Sequence, residues 1–420
     1  MRRVVITGLG VVASNGVGVH DFCHALRNGK SGVRFHQKLQ DLNFTCQVAG
    51  YPVVEEALVQ ARFTPQQTRN MNCVMTYGGL AAVECWLDAG LPLKSEDTLW
   101  DTGTIFGTGI AGVDTIGDRL VPVTREGQSR RLGTSIPEQV MCSNVSALVG
   151  GLLGMGNRVS TNSAACATGT DAVAECYRYI ACGFAERMMA GGAECDSPYV
   201  VSCFDAMRVT ARKGNDTPER ASRPMSATAS GFVPGAGAGA LMLESLESAQ
   251  ARGTRIYAEV AGAHVNCGGQ RNGGSITAGN PEGVRRCVRA AVAESGLVPG
   301  RDIGYINAHL TATGADPKEI ENLVEGLGVA PGQFPWINST KAMIGHTLGA
   351  SGAIECVATV IQLHEGFVHP ALNCEDVHPR IAPIAARIPR ETVQVPLRAA
   401  LKTSFGFGDV NACVVFRALN

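Results

Sequence analysis

The hydrophobic pattern divides the chain into alternating short strands and longer helices. Apolar, β-branched runs near residues 4–7, 102–107, 187–191 and 240–244 predict buried strands, because each is too short for a helix. Between them, apolar residues recur every three or four positions, and Thr64 followed by Pro65 predicts the capped start of a helix reaching Leu87. This alternation is typical of an α/β protein.

One stretch, residues 158–183, combines such a strand and helix with a distinctive turn. Val159 to Asn162 predicts a short buried strand, and a helical spacing of apolar residues begins after Thr170. Between them, six small residues surround Cys166. A turn of this kind exposes its side chain at the sheet edge, and the following helix N-terminus favours a thiolate. Cys166 is therefore a candidate nucleophile, and a buried, inert cysteine is the alternative.

A second half of the chain resembles the first. Residues 336–366 contain Asn338-Ser339 where the central stretch has Asn162-Ser163, and Gly345 corresponds to Gly169. An apolar helix ending in glycine follows in both stretches. We therefore expect an internal duplication, with residues 1–253 forming one half, residues 254–420 the other, and a core shared between them.

Two of the nine histidines stand in contexts that favour catalysis. His309 lies just past a predicted buried strand, and His346 lies in the second-half turn, roughly where Cys166 lies in the first. One cysteine and two histidines at strand ends can meet in one pocket. His264 also follows an apolar strand and is interpreted as structural.

Composition excludes several classes of protein. A formal net charge of −1 over 420 residues supplies no global field for nucleic acid or an anionic membrane. The fifteen cysteines form no Cys-x-x-Cys pair, which argues against zinc and against a secreted disulfide scaffold and favours a reducing cytoplasm. No apolar segment is long enough to span a membrane. The glycine-rich run at 235–239 precedes a strand, so it is not a nucleotide-binding turn.

Several short motifs occur along the chain in an order that is typical of one protein family. They are VVITGLGVV at the start, ACATG around Cys166, AGGAE, NAH at 307–309, K-x-x-x-GH at 341–346 and FGFG at 405–408. With them the chain resembles the β-ketoacyl-acyl carrier protein synthases, the elongating condensing enzymes of the thiolase superfamily. The resemblance implies the thiolase fold, a duplicated αβαβα five-layer sandwich. It also implies acyl carrier protein as partner, a homodimer or a close heterodimer, no metal, and no cofactor beyond the phosphopantetheine that carries the substrates.

The same resemblance implies a role for each matching residue. Cys166 corresponds to the acyl-accepting nucleophile, and His309 and His346 to the pair that promotes decarboxylation. Lys341 and Glu319 correspond to a buried Lys–Glu pair, and Thr311 and Thr313 to threonines that hold the phosphopantetheine arm. Phe405 corresponds to a substrate-binding phenylalanine. Phe407 corresponds to a gating phenylalanine whose N–H completes an oxyanion hole with that of Cys166. The implied reaction is a decarboxylative Claisen condensation of malonyl-acyl carrier protein with a Cys-bound acyl group, giving a β-ketoacyl-acyl carrier protein.

Departures from the family pattern leave the pathway open between fatty acid and type II polyketide or polyene synthesis. Leu310 replaces a glycine, the loop after His309 is one residue shorter, and Asp409 ends a motif that is usually FGFGG. The segment before GFV is SATAS, and Ala236 stands where glutamate is usual. Because the reacting residues are kept while their surroundings change, acyl-chain preference is the property most affected.

Three alternatives differ at single positions. A degradative thiolase would need a second cysteine in residues 404–411, which have none. A starter-condensing synthase would have asparagine in place of His346. A chain-length factor would have lost Cys166, although this chain can still be the active subunit paired with such a partner.

Acyl carrier proteins are acidic, so a nearly neutral chain needs a local basic patch to bind one. The candidates are Arg130, Arg131 and Arg208, with Arg212 and Lys213 close by in sequence. A run of charges that only solvates the surface is the alternative.

Overall fold

A computed structural model describes residues 1–93 and 97–419 of the chain. Its N-terminal half is built on five strands and three long helices. In chain order these are β1 (Val4–Ala13), α1 (Cys73–Asp88), β2 (Thr102–Thr108), α2 (Asn144–Leu153), β3 (Val159–Ser160), α3 (Thr168–Ala181), β4 (Arg187–Glu194) and β5 (Gly237–Ser245). The strand predicted near residues 240–244 begins earlier, at Gly237, so the glycine-rich run does not wholly precede it but supplies its first residues.

The C-terminal half repeats this order of elements. It contains β6 (Ala258–Cys267), α4 (Pro281–Ser295), β7 (Ile303–Asn307), α5 (Asp316–Leu327), β8 (Trp336–Asn338), α6 (Ser351–Glu365), β9 (Ala399–Gly406) and β10 (Val410–Arg417). Each long helix follows the same strand as its counterpart in the first half.

Sheet topology is the same in the two halves. The strand order is β1-β5-β4-β2-β3 in the first and β6-β10-β9-β7-β8 in the second. In each, the first three strands pair antiparallel and the last three pair parallel. The halves join where β1 pairs antiparallel with β6. The predicted duplication is therefore present in the topology itself.

The layers follow from which helices cover which sheet face. Helices α3 and α6 pack on each other and on strands of both halves, and they share one buried cluster with those strands. Helices α1 and α2 cover the outer face of the first sheet, and α4 and α5 cover that of the second. This is the αβαβα five-layer sandwich of the thiolase fold, as predicted.

Two glycines allow the central helices to approach each other. A Cβ on Gly169 of α3 would collide with the backbone nitrogen of Ala353, and a Cβ on Gly352 of α6 would collide with that of Thr170. The positions of these glycines in their helices are equivalent. The predicted correspondence between Gly345 and Gly169 is therefore wrong, and Gly352 is the true counterpart.

Two sequence predictions of local structure need correction. The strand at Val159 is an exposed edge strand, with Val159 39% exposed, rather than a buried one. The helix predicted from Thr64 to Leu87 is two helices, because the chain is extended at Met71 and Asn72. The Thr64 side chain does cap the first of them, in a reciprocal pair of hydrogen bonds with Gln67.

Shorter elements connect these layers. The two-residue strands are Gly16–Val17, Arg34–Phe35, Val48–Ala49, Phe367–Val368 and Val393–Gln394. The short α-helices are Val19–Arg27, Gln37–Asp41, Glu56–Arg62, Pro65–Asn70, Val113–Thr115, Val121–Arg125, Ile136–Val140, Pro198–Ala206, Leu246–Arg252 and Lys341–Ile344, with a π-helical turn at Ile116–Leu120. The 3₁₀ turns are Ser129–Arg131, Ala165–Ala167, Pro218–Arg220, Pro331–Gln333, Leu348–Ala350 and Pro379–Arg387. Across residues 1–93 and 97–419, no helix has the length and apolar character needed to cross a bilayer.

Candidate active site

Cys166 lies in a single 3₁₀ turn between β3 and α3. The residue before it, Ala165, has a φ of 48°, in the left-handed region that few side chains adopt. The Thr168 hydroxyl holds the turn by donating to the Ala165 carbonyl at 2.7 Å and accepting from the Ala164 N–H at 2.8 Å. The small residues of this stretch therefore serve a tight turn that presents Cys166 at the centre of the molecule.

Opposing effects act on the ionisation of Cys166. Burial raises the pKa of the thiol to about 11, against the opposing effects of the Lys341 charge and a hydrogen bond from the Phe407 N–H. The helix N-terminus predicted to favour a thiolate therefore competes with the burial of the sulfur.

His346 faces the Cys166 sulfur. Its Nε2 lies 3.2 Å from Sγ, and its Nδ1 accepts a hydrogen bond from the Leu348 N–H at 3.2 Å and lies 2.9 Å from the Ser351 hydroxyl. Because Nδ1 is an acceptor, the proton of the neutral ring lies on Nε2. Burial, with the charges of Lys341 and Lys402, holds the His346 pKa well below its usual range. The imidazole is therefore an uncharged donor aimed at the sulfur side of the pocket.

His309 completes the central group from the end of β7. Its ring stands edge-on to that of His346, with centroids 5.4 Å apart, and reactive atoms of Cys166, His309 and His346 all lie within 4.8 Å of one another. Burial lowers the His309 pKa well below its usual range, and the nearby basic groups of Lys341, His346 and Lys402 add to this effect. The structure thus brings together the three residues predicted to react, with both imidazoles neutral.

The buried ion pair behind the histidines involves a different glutamate from the one predicted. Lys341 Nζ lies 2.5 Å from Glu355 Oε1 and also donates to the His309 carbonyl at 2.8 Å. Glu319 instead accepts the backbone N–H groups of His309 and Leu310, at 2.8 and 2.9 Å. The predicted Lys341–Glu319 pair is therefore corrected to Lys341–Glu355, and Glu319 fixes the backbone that carries His309.

The loop of Thr311 and Thr313 is organised by one carboxylate. Asp316 accepts the N–H groups of Thr311, Ala312 and Thr313 at 2.9, 3.1 and 3.4 Å. The two threonine hydroxyls lie 3.0 Å apart. Both threonines therefore stand on a loop whose backbone is fixed although it is one residue shorter than expected.

A basic cleft opens beside Thr313. It has a volume of about 490 Å³, and its cationic lining residues are Arg208, Arg212 and Lys213. Arg208 thus lies at the same opening as a threonine predicted to hold the pantetheine arm. Arg130 and Arg131 are exposed in the turn Ser129–Arg131 and do not line this cleft, so their docking role remains a prediction.

The FGFG motif lies against the other side of the pocket. The Phe405 ring stands edge-on to His309 at 6.2 Å, and the Phe407 ring lies 6.1 Å from that of Phe204. Asp409 is buried with a φ of 63°, and its carboxylate accepts the N–H groups of Gln270 and Asn280 at 2.9 and 2.7 Å. The unusual aspartate therefore ties the loop bearing the Phe407 N–H to residues 268–280.

Three residues that shape this site were not predicted from the sequence. Glu355 and Lys402 form the buried charge cluster, and Ser351 contacts His346. A signal for Glu355 exists, because a lone acidic residue interrupts the apolar run of α6. A lysine within the apolar strand β9 is a similar signal for Lys402.

Comparison with known proteins agrees with this site. Residues 1–249 match the family model of the β-ketoacyl synthase N-terminal domain, and residues 257–375 match that of the C-terminal domain. A 3-oxoacyl-[acyl-carrier-protein] synthase 2 of Vibrio harveyi is 32% identical over all of this chain and 99% of its own length. The chain therefore belongs to the β-ketoacyl synthase family.

Two solved structures share the fold over their whole length. One is a type II polyketide synthase acyl-carrier protein in complex with its ketosynthase bound to the hexaketide, with a TM-score of 0.87 and 29% identity. The other is the ishigamide ketosynthase/chain length factor, with a TM-score of 0.88 and 28% identity. Each comparison covers 100% of this chain and 100% of the solved chain.

Proposed function

We propose that the protein catalyses chain elongation by decarboxylative Claisen condensation, joining a malonyl unit on acyl carrier protein to an acyl group held on Cys166. The observation that carries this proposal is the single buried site in which the Cys166 sulfur meets two neutral imidazoles within 4.8 Å. A nucleophile alone would serve many acyl transfers, whereas two uncharged donors beside it suit the stabilisation of an enolate.

The first step loads the acyl group. The Cys166 sulfur attacks the carbonyl carbon of an acyl thioester, the C–S bond to phosphopantetheine breaks, and the thiol proton passes to the departing sulfur. The Phe407 N–H, which already donates to the Cys166 sulfur, and the Cys166 N–H stabilise the oxyanion of this step. Because thioester replaces thioester, the step is freely reversible until malonyl substrate arrives.

The second step creates the carbon nucleophile. The malonyl carboxylate leaves as CO₂, and the electron pair of the broken C–C bond forms an enolate whose charge rests on the thioester oxygen. Nε2–H of His346 and the ring N–H of His309 donate to that oxygen, and each donor lowers the barrier by about 3 kcal/mol. The carbanion then attacks the acyl-Cys166 carbonyl, and the C–S bond breaks. The released sulfur, with its pKa raised to about 11, takes a proton from water.

This chemistry needs no metal or redox cofactor, and the only prosthetic group is the phosphopantetheine that carries both substrates. Cys166, His309 and His346 form a set with the donor types of a metal site. However, the Leu348 N–H bond to Nδ1 of His346 leaves the proton on Nε2, the atom that faces the sulfur. A protonated nitrogen cannot ligate a cation, which supports a donor role instead.

The substrate carrier is an acyl carrier protein, which we place at the basic cleft. Arg208, Arg212 and Lys213 line this cleft together with Thr313, so a charged carrier surface and the arm leading to Cys166 share one opening. A similar ketosynthase has been solved in complex with its acyl-carrier protein, which supports a carrier of this kind as the partner. We place the enzyme in the cytoplasm, since its fifteen cysteines are free and the thiol of Cys166 must stay reduced.

A second form of this function is the active subunit of a heterodimer. The ishigamide ketosynthase/chain length factor shares the fold, and departures such as Asp409 set this chain apart from the usual pattern. Co-expression with a homologue that lacks the cysteine distinguishes the forms. Elongation by the purified chain alone supports a homodimer, whereas elongation only after co-expression supports the heterodimer.

The decisive experiment supplies purified protein with acyl-loaded and malonyl-loaded acyl carrier protein. The intact mass of the carrier should increase to that of a β-ketoacyl product while CO₂ is released. Cys142→Ala is the matched control for Cys166→Ala, because Cys142 is an exposed cysteine outside the site. If the carrier mass never reaches that of a β-ketoacyl product, alone or with a co-expressed partner, the proposed function is wrong.

A further inference from the structure

Behind the histidines lies a second buried lysine that no motif singles out. Lys402 lies in β9 opposite Asn307 of β7, and its side chain is fully buried. Its Nζ lies 2.8 Å from Glu355 Oε2, while the other oxygen of the same carboxylate lies 2.5 Å from Lys341 Nζ. One buried carboxylate is therefore held between two ammonium groups.

This cluster lies beside the elements that carry both histidines. Lys341 donates to the backbone carbonyl of His309 at 2.8 Å. Glu355 lies one helical turn after Ser351 on α6, and the Ser351 hydroxyl lies 2.9 Å from His346 Nδ1. Residues four apart share a helix face, so the carboxylate and the serine point to the same side of α6. The cluster is therefore bonded to the backbone of His309 and lies on the same face of α6 as the serine that contacts His346.

The cluster also has more basic groups than acidic ones, although burial lowers the pKa of Lys341. Two lysines face one carboxylate, and the nearby Glu319 is a weak counter-charge, because burial and the Asp316 charge raise its pKa. Buried unbalanced charge is costly and is retained where it has a use. Here both lysines oppose protonation of His309 and His346.

We propose that Lys402 is a positioning residue of the condensation: it fixes Glu355 between two cations and supplies the second positive charge behind the thioester oxygen. This inference rests on the proposed function. During decarboxylation, negative charge moves from the malonyl carboxylate to that oxygen, so positive charge buried behind the two donors favours the enolate. The same charge keeps both rings as uncharged donors.

Other charged groups around the two rings must be included in any pH argument. From the elements packed against them these are Lys341 and Lys402, Glu355 of α6, Glu319 of α5, Glu194 at the end of β4, and Cys166 itself. Among these, only Lys341 and Lys402 contribute positive charge. Removing Lys402 therefore raises the pH at which the imidazoles gain a proton.

The test compares Lys402→Met, which removes the charge, with Lys402→Arg, which restores it. Release of CO₂ from malonyl-acyl carrier protein should fall about tenfold in Lys402→Met, because the positive charge behind the enolate oxygen is lost. Acyl loading of Cys166 should change less than about twofold, because its oxyanion donors are backbone N–H groups. The acidic limb of the pH–rate profile should move to higher pH, and Lys402→Arg should reverse both effects. Lys38→Met is the control, since Lys38 is exposed.

Each other outcome overturns the proposal. Equal losses in both half-reactions with an unchanged pH profile would make Lys402 a structural residue only, and so would unaltered kinetics. Should Lys402→Met not fold, Lys402→Gln removes the charge while keeping a donor for the backbone carbonyls of Asn307 and Thr403, and the same criteria apply to it. If the wild-type protein itself releases no CO₂, the proposed function fails and not merely the role of Lys402.

Discussion

The two halves of the molecule carry the same turn in front of the same helix, yet only one turn holds a nucleophile. The 3₁₀ turns Ala165–Ala167 and Leu348–Ala350 directly precede α3 and α6. Ala165 and Leu348 even share a φ of 48°. The next residue is Cys166 in the first turn and Gly349 in the second, so Gly349, rather than His346, is the counterpart of the nucleophile.

What surrounds Gly349 explains this difference. A Cβ there would collide with the Gly109 backbone, and the Gly349 N–H donates to the buried Glu194 at 3.2 Å. The second turn therefore packs the C-terminal half against the N-terminal half. His346, three residues before Gly349, faces Cys166. Under the proposed function, duplication has produced one scaffold with two tasks: the N-terminal half holds the acyl group, and the C-terminal half supplies the donors for decarboxylation.

The largest effect is expected from removing the nucleophile. Cys166→Ala should abolish the acyl adduct on the protein and all condensation, because no sulfur remains at the turn. Intact-protein mass after incubation with acyl-loaded carrier measures the adduct, and Cys142→Ala should still show it. An adduct that persists in Cys166→Ala would move the nucleophile elsewhere.

The next effect concerns the histidines of the other half. His309→Ala and His346→Ala should each lower CO₂ release by about 10²-fold or more, since each removes one donor to the enolate oxygen. The double variant should lose much less than the product of the single losses, because the donors act as a unit. Normal decarboxylation by either single variant would make that histidine structural.

The fold and the three reacting residues were predictable because they lie in contiguous motifs. Cys166, His309 and His346 each follow a strand in a recognisable local pattern. The partner of Lys341 was not predictable in this way, because the chain offers both Glu319 and Glu355 as candidates. Only the distance of each carboxylate from Lys341 in the folded structure identifies Glu355 as the partner.

The burial of Cys166 was not predictable for a related reason. A helix N-terminus is visible in the sequence, whereas the burial that raises the Cys166 pKa depends on residues from both halves. The correspondence of Gly345 with Gly169 failed because the stretch between β8 and α6 is longer than that between β3 and α3. Matching letters across that difference in length shifted the alignment away from Gly352.

A smaller effect is expected at the loop that joins Phe407 to the second half. Asp409→Ala removes the acceptor of two backbone N–H groups, from Gln270 and Asn280. Hydrogen bonds to a charged group contribute about 1.5–3 kcal/mol, and we expect part of this to appear as an approximately tenfold slower acyl loading. Asp409→Asn, which keeps one acceptor oxygen, should lose less.

Rates of Cys166 acylation measure this effect most directly. CO₂ release should be nearly unchanged in both Asp409 variants, since the histidines do not depend on that loop for their hydrogen bonds. If decarboxylation falls as far as acylation, Asp409 supports the whole pocket rather than the oxyanion loop.

The smallest effect is expected at the carrier surface. Arg208→Glu should raise the KM for acyl carrier protein about fivefold at low salt and less at high salt, because exposed charges act mainly on association. Turnover of a small N-acetylcysteamine thioester should be unchanged. Reversal of both Arg130 and Arg131, which lie outside the basic cleft, tests whether docking extends beyond it. Equal losses with carrier and small substrate would place Arg208 in support of the fold.

The division of tasks between the halves is tested most directly by CO₂ release from malonyl-acyl carrier protein in Cys166→Ala. This variant lacks the nucleophile but keeps His309, His346 and the Lys341–Glu355–Lys402 cluster of the C-terminal half. The account predicts continued CO₂ release without any β-ketoacyl product. A loss of CO₂ release as large as that of His346→Ala would contradict it, because decarboxylation would then depend on the half that holds the acyl group.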